Sequence, residues 1–315
     1  MKWVSWSGDD LFKLIAALLA SSVIALLLLL TLTLVSDSLP VLNRFGLSFF
    51  TGVDWNPVVG REVFGVLPYV LGTLVTSAIA LLIGVPISLG IAIFLAEMAP
   101  KTIRNAFSFL IELLAAVPSV IYGLWGLFIF RFWVRDFVET PLSTYLGFIP
   151  IFQGTPFGLD ILTAGLILSI MIIPTVSAVS REVLLAVPNT QREAAYSIGA
   201  TRWEVIRMGV LSYARSGIFG AIILGLGRAV GETMAVTMVI GNTIGAAALP
   251  TSLLKGGQTM ASLIANEFNE ADPVSLHPSA LIGVGLVLFI FALAINIFAQ
   301  LLVWRVLKIK GGAIE

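Results

Sequence analysis

The chain has 315 residues, 58% of them hydrophobic and only 11% charged, with a mean hydropathy of +1.02. Soluble domains carry about 25% charged residues, so this is the composition of an integral membrane protein. The 18 basic residues balance the 18 acidic ones, which leaves no global basic field for nucleic acid; with no cysteine and one histidine, His277, disulfides, thiolate chemistry and Cys/His metal clusters are excluded.

A spanning helix needs about 20 mostly apolar residues. Six segments meet that need, at about 11–36, 66–96, 106–130, 161–183, 216–241 and 280–306. The expected fold is all-α and polytopic, with six transmembrane helices. The first run follows Lys2, as in a signal sequence, but exceeds the roughly 7–15 apolar residues of one and lacks a small-residue cleavage site. It reads as an uncleaved anchor. Residues 1–64, the anchor and the first outer loop, then stand apart from a core at 65–306 and a short tail at 307–315. Pro118 and Pro174 are expected to kink the third and fourth spans. Glu112 sits near the end of the third and is expected to snorkel to the interface. His277, beside Pro278, reads as a surface residue of the last outer loop.

Lysine and arginine in the loops set the orientation. With the N-terminus inside, 12 basic residues fall inside (Lys2, Lys13, Lys101, Arg104, Arg181, Arg192, Arg202, Arg207, Arg215, Arg305, Lys308 and Lys310). Five fall outside, and Arg228 lies within a span. Both termini are therefore expected in the cytoplasm.

The cytoplasmic stretch between spans four and five, about 187–217, begins "VPNTQREAAYSIGATRWEVIRMGVL". Pro188 stops the preceding helix. Thr190 with Glu193, and again Thr201 with Glu204, have capping-box spacing, in which each side chain satisfies an orphan N–H at a helix start. Gly199 between them suits the left-handed position that ends a helix. The expected structure is helix, glycine break, helix, with Ala194, Ala195 and Ile198 forming a small apolar face on the first. A well-capped connector would read the same way.

Span five carries "GLGRAVGETMAVTMV". Arg228 and Glu232 are four apart and would share one helix face. Gly227 and Gly231 have the spacing that lets a neighbouring helix approach closely. Arg228 is 13 residues beyond Arg215, about 20 Å along a helix and hence near mid-membrane. A structural salt bridge would account for the pair. Charges inside a membrane point by default to a transport path, however, and the donor fork of arginine suits phosphate-like oxygens.

The stretch from Glu193 resembles the EAA loop of ABC-importer permeases: Glu-Ala-Ala, a glycine six after the glutamate, then an isoleucine and a Leu-Pro. Glu193, Ala194, Ala195, Gly199 and Leu211 match; Gly209 and Ser212 stand where the pattern has isoleucine and proline. "AAVPSVIYGLWG", "GLDILTAGLILSIMIIPTVSAVSREVL" and "GRAVGETMAVTMVIGN" resemble the phosphate-importer permeases of the PstC type, over about 65–306. The resemblance implies that the 187–217 loop is a coupling helix seated on an ATP-hydrolysing subunit, and that Arg228 and Glu232 serve transport. It also implies three partners in the bilayer system: a second, related permease chain, a dimer of ATP-binding subunits, and a periplasmic or lipid-anchored phosphate-binding protein. The expected home is the bacterial inner membrane. No Walker-type phosphate loop, HExxH, GxSxG or intramembrane carboxylate cluster occurs, so no cofactor and no catalysis are expected of this chain. Other readings are an importer for a different oxyanion and a stand-alone ion-coupled transporter using Glu232.

Overall fold

A computed structural model describes residues 8–307; Lys2, Lys308, Lys310 and the expected tail beyond Leu307 lie outside the described residues. Helix α1 (Gly8–Phe45) has 38 residues, about 57 Å at 1.5 Å per residue, against a hydrocarbon core of about 30 Å. None of its most apolar 18-residue window is buried. Only its last turns pack, against the start of α10 (His277–Leu307). There Gly283 leaves room for Phe49 and Val41, whose atoms would lie 3.0 and 3.3 Å from a Cβ at that position. Ser279 Oγ donates to the Asp37 carbonyl at 2.7 Å, closing the same contact.

A two-stranded antiparallel ribbon, β1 (Trp55–Asn56) and β2 (Val63–Phe64), leads into α2 (Leu67–Met98), whose last turn, Phe94–Met98, is π-helical. Helix α5 (Ile161–Leu185) is the centre of the bundle, with 72% of its most apolar window buried. Asp160 starts it, its Oδ1 accepting from Thr163 N at 2.8 Å. Helices α2 and α5 pack closely because glycines face branched side chains: Gly84 meets Ile172, and Gly165 meets Ile79. The main core joins α5 residues Ile167, Leu168, Met171 and Ile172 to Ala221, Ala229, Val236 and Val239.

The third span, expected over 106–130 with a kink at Pro118, turns much more sharply than a kink. It is two helices, α3 (Lys101–Ala116) and α4 (Ser119–Leu146), meeting at 90°. The cause is Pro118: it cannot donate to the ladder and holds Val117 extended at φ −64°, ψ 126°. Only Ile111 of α3 is buried, so this helix lies across the bundle end. Glu112 there faces Arg181 of α5 at 3.6 Å.

The fifth span also departs from expectation. Its helix, α7, runs Arg202–Gly231, starting well before residue 216 and stopping ten residues short of 241. Among the described residues, five helices (α1, α2, α5, α7 and α10) are long and apolar enough to cross a membrane, and six if the bent α3–α4 pair is one span. After α7 come the short α8 (Met234–Val239) and α9 (Met260–Glu267). The 187–217 loop occupies what is called here the near end of the bundle. The ribbon, the start of α5 and residues 240–277 gather at the far end, tied by bonds such as Leu162 N to Leu253 O at 3.0 Å. His277 proves to be buried there, 6% exposed, with Nε2 bonded to Glu267 Oε2 at 2.8 Å.

Candidate functional site

The near-end loop folds as helix, glycine break, helix. Helix α6 (Asn189–Ser197) ends at Gly199, whose φ of +80° is left-handed, and Ala200 N donates back to the Ala195 carbonyl at 3.3 Å. The Thr201–Glu204 box is present: Glu204 Oε2 accepts from Thr201 N at 2.7 Å, and Thr201 Oγ1 accepts from Glu204 N. The bond from Thr201 N, and after it one that Thr201 Oγ1 donates to the same Oε2 at 2.7 Å, hold the Glu204 carboxyl below its usual range. The expected Thr190–Glu193 box does not form. Pro188 takes the N-cap position, so the helix starts at Asn189 and no side chain caps it. Thr190 then lies within the first turn, two residues too late to serve as a cap.

Of the small apolar face, Ala195 is buried while Ala194 and Ile198 are exposed. Ala195 rests on the next helix because Gly209 has no side chain: a Cβ there would stand 3.9 Å from Ala195 Cβ and 3.2 Å from the Gln191 carbonyl. Gly209 and Ser212, the departures from the EAA pattern, thus lie in or beside a π-helical stretch of α7, Val205–Leu211, that continues unbroken along the helix. Outward, the pair presents Ile198 and Trp203, 78% and 58% exposed, together with Tyr196 and Met208. Exposed apolar surface among charged groups is the kind that interaction sites offer.

Sequence reading missed what holds this loop down. Glu97, in the π turn of α2, accepts from Arg192 through both oxygens, 2.7 Å from Nη2 and 3.4 Å from Nε. The same arginine donates to the Leu184 carbonyl at 3.0 Å and to the Val187 carbonyl. Arg202 donates to the Glu97 carbonyl, and Arg104 to the Ala96 carbonyl at 2.9 Å. One π turn therefore gathers α3, α5, α6 and α7. No sequence signal connects residues 95 positions apart.

Arg228 lies at mid-bundle depth. Its Nη1 donates to Thr175 Oγ1 at 3.2 Å, and Thr175 is 14 residues into the 25-residue α5, about 21 Å from its start. Tyr122 of α4 lies within the field of the same charge. Glu232 does not share a helix face with Arg228. It has left the helix, at φ −70°, ψ 128°, and its Oε1 accepts from Ala235 N at 3.3 Å at the start of α8. The ion pairs among the described residues do not include Arg228 with Glu232. Gly231 is the last residue of α7, and the extended Glu232 ends the helix where a continuous one was expected. Gly227 and Gly231 are exposed, and a Cβ on either would have nothing within 4 Å. Their close-approach face has no partner among the described residues. The result is a half-buried guanidinium, most of its donors uncommitted, beside an open glycine-lined strip.

The fold is that of a polytopic, mostly helical membrane protein, and the comparisons give its family. The chain belongs to the family of binding-protein-dependent transport system inner membrane components, whose model matches residues 88–308. It is similar to the phosphate transport system permease protein PstC of Haemophilus influenzae, 45% identical over 96% of this chain and 95% of that one. The protein of the same description from Pasteurella multocida is 46% identical over 96% and 93%. Among solved structures, a bacterial ABC transporter involved in the import of the polysaccharide alginate shares the fold, with a TM-score of 0.59 over 95% of this chain and 98% of that chain at 18% identity.

Proposed function

We propose that this chain is one permease subunit of an ATP-driven importer that moves inorganic phosphate into a bacterial cytoplasm by alternating access. The near end faces the cytoplasm, as the excess of basic residues there supports. A dimer of ATP-binding subunits docks on α6 and the Thr201–Glu204 turn. A second, related permease chain packs on the open face of α7 that carries Gly227 and Gly231. A soluble or lipid-anchored phosphate-binding protein delivers the anion at the far end.

The observation that carries the reading is Arg228: an arginine at mid-bundle depth, with one neutral partner and no carboxylate partner among the described residues. A buried ion pair would have neutralised it; left as it is, it offers its remaining donors to an anion that enters between the two permease chains. Glu232, one helix break away, limits how tightly that anion is held. Phosphate uptake by the complete transporter in proteoliposomes tests the assignment. Arg228→Gln is expected to abolish uptake with the complex still assembled, and Arg228→Lys to retain a small part, since it keeps the charge without the fork. Normal uptake by Arg228→Gln would overturn the role.

A further inference from the structure

The far end holds a cleft of about 610 Å³ between the ribbon loop and the chain from α8 to α10. Its polar lining carries three carboxylates, alongside amide, hydroxyl and imidazole groups and neither lysine nor arginine. Glu267 is fixed by two donors on one oxygen, Trp55 Nε1 and His277 Nε2, both at 2.8 Å, which leaves Oε1 without a hydrogen bond among the described residues. Glu270 and Asp272 stand exposed at the mouth, with Asp272 held by Val274 N at 3.0 Å. Gln258 is 1% exposed and lines the cleft, yet its Oε1 has no partner. Asn242 is held at φ +48°, uncommon for a residue with a side chain, and its Nδ2 is taken by the Thr237 carbonyl at 2.8 Å, so its oxygen is the free end. Strain of this kind persists where the surroundings impose it, often at binding sites.

No lysine or arginine lines the cleft, so it repels phosphate and lies off the route of that anion. The carboxylates do not converge as a metal site would require among the described residues. A buried, unpartnered acceptor beneath three carboxylates calls for a ligand that brings several N–H donors and positive charge. Val58 and Ile244, 59% and 48% exposed, form an apolar part of the same lining, and the adjoining loop tip, Val274, is 95% exposed. Apolar contact area around a desolvated charged anchor is the make-up of a protein–protein interface, where arginine is favoured at the centre.

We infer that this cleft is the socket for a basic side chain, an arginine or lysine, on the docking face of the soluble binding protein. The inference rests on the importer reading above. The family is binding-protein-dependent, and the cleft is built from far-end loops, away from the α6 surface. It is polar, whereas the α7 face offered to a second permease is apolar and small.

The test uses the complete transporter in nanodiscs and its cognate phosphate-binding protein. Wild-type complex is expected to bind that protein with an affinity that weakens as salt rises. Glu270→Lys with Asp272→Lys should raise Kd at least tenfold and flatten the salt dependence. Gln258→Leu should raise it several-fold without changing the salt slope. A Lys→Glu or Arg→Glu change on the binding protein that restores affinity to the double variant would identify the inserted side chain. Subunit composition and ATP hydrolysis without binding protein should stay as in the wild type. An unchanged Kd overturns the inference, as does loss of the second permease from the double variant, which would assign the cleft to the permease interface. Wild-type complex that binds no such protein would overturn the importer reading itself, before any variant is compared.

Discussion

Removing the Glu97 carboxylate tests how the near-end loop is held. In the wild type it pairs with Arg192 at 2.7 Å, and the side chains are only 11% and 18% exposed. Breaking a fully buried pair by removing one partner costs about 3–5 kcal/mol, because a charge is left behind. Arg192 keeps its bonds to the Leu184 and Val187 carbonyls, so the residual charge is partly solvated by dipoles. A loss of about 2 kcal/mol is the expectation for Glu97→Ala. In thermal unfolding of the purified complex this corresponds to a fall of roughly 3 °C in the transition of this subunit. Uptake should fall more steeply than stability, since α6 then no longer moves with α2. Glu97→Gln should lie between the two. The charge exchange Glu97→Arg with Arg192→Glu should not rescue, because a carboxylate at 192 would face two carbonyl oxygens. Wild-type melting and uptake in Glu97→Ala, or full rescue by the exchange, would refute the idea that this contact ties α6 to α2.

Gly199→Val places a β-branched residue at φ +80° with nothing nearby to clash, so its cost is backbone strain alone, about 1–2 kcal/mol. Less ATP-binding subunit should co-purify, whereas Gly199→Asn, which tolerates that conformation, should retain it. Asp160 at the start of α5 gives a pH signature: burial, then the neighbouring Glu139 charge, push its carboxyl up to about 8. The folded state thus keeps a proton that the unfolded chain sheds near pH 4. Stability from this group is full below that pH and is lost as pH climbs through about 8. Melting temperature should fall from pH 5 to pH 9 in the wild type and vary less in Asp160→Asn, which preserves the cap.

Much of the bundle was legible because apolar runs of bilayer length have few other uses, and Gly199 and the Thr201–Glu204 box follow from local chemistry alone. What escaped depended on neighbours distant in sequence. Pro118 announced a disturbance, but a kink and a right-angle turn read alike until α5 is present for α3 to cross. Glu232 looked helical because Arg228 stands four residues before it; the bond to Ala235 N that draws it out belongs to the next helix. Pro188 and Thr190 competed for one cap, and spacing favoured the wrong one. His277 was assigned to the surface for want of a visible partner, which Glu267 supplies ten residues earlier.

Helix α7 has a mechanical consequence. Its first turn, at Arg202, belongs to the exposed helix pair, and Arg228 stands on the same unbroken rod, 26 residues and about 39 Å away. Such a rod is a lever. With α5 as the fulcrum, where Gly217 meets Val183, the arm to Arg228 is 11 residues, about 16 Å, and a tilt of about 10° imposed at Trp203 sweeps the guanidinium sideways by roughly 3 Å, enough to detach it from Thr175. The break at Glu232 then lets α8 stay seated in the core while the lever swings, so motion delivered at one end is spent at the arginine and travels no farther.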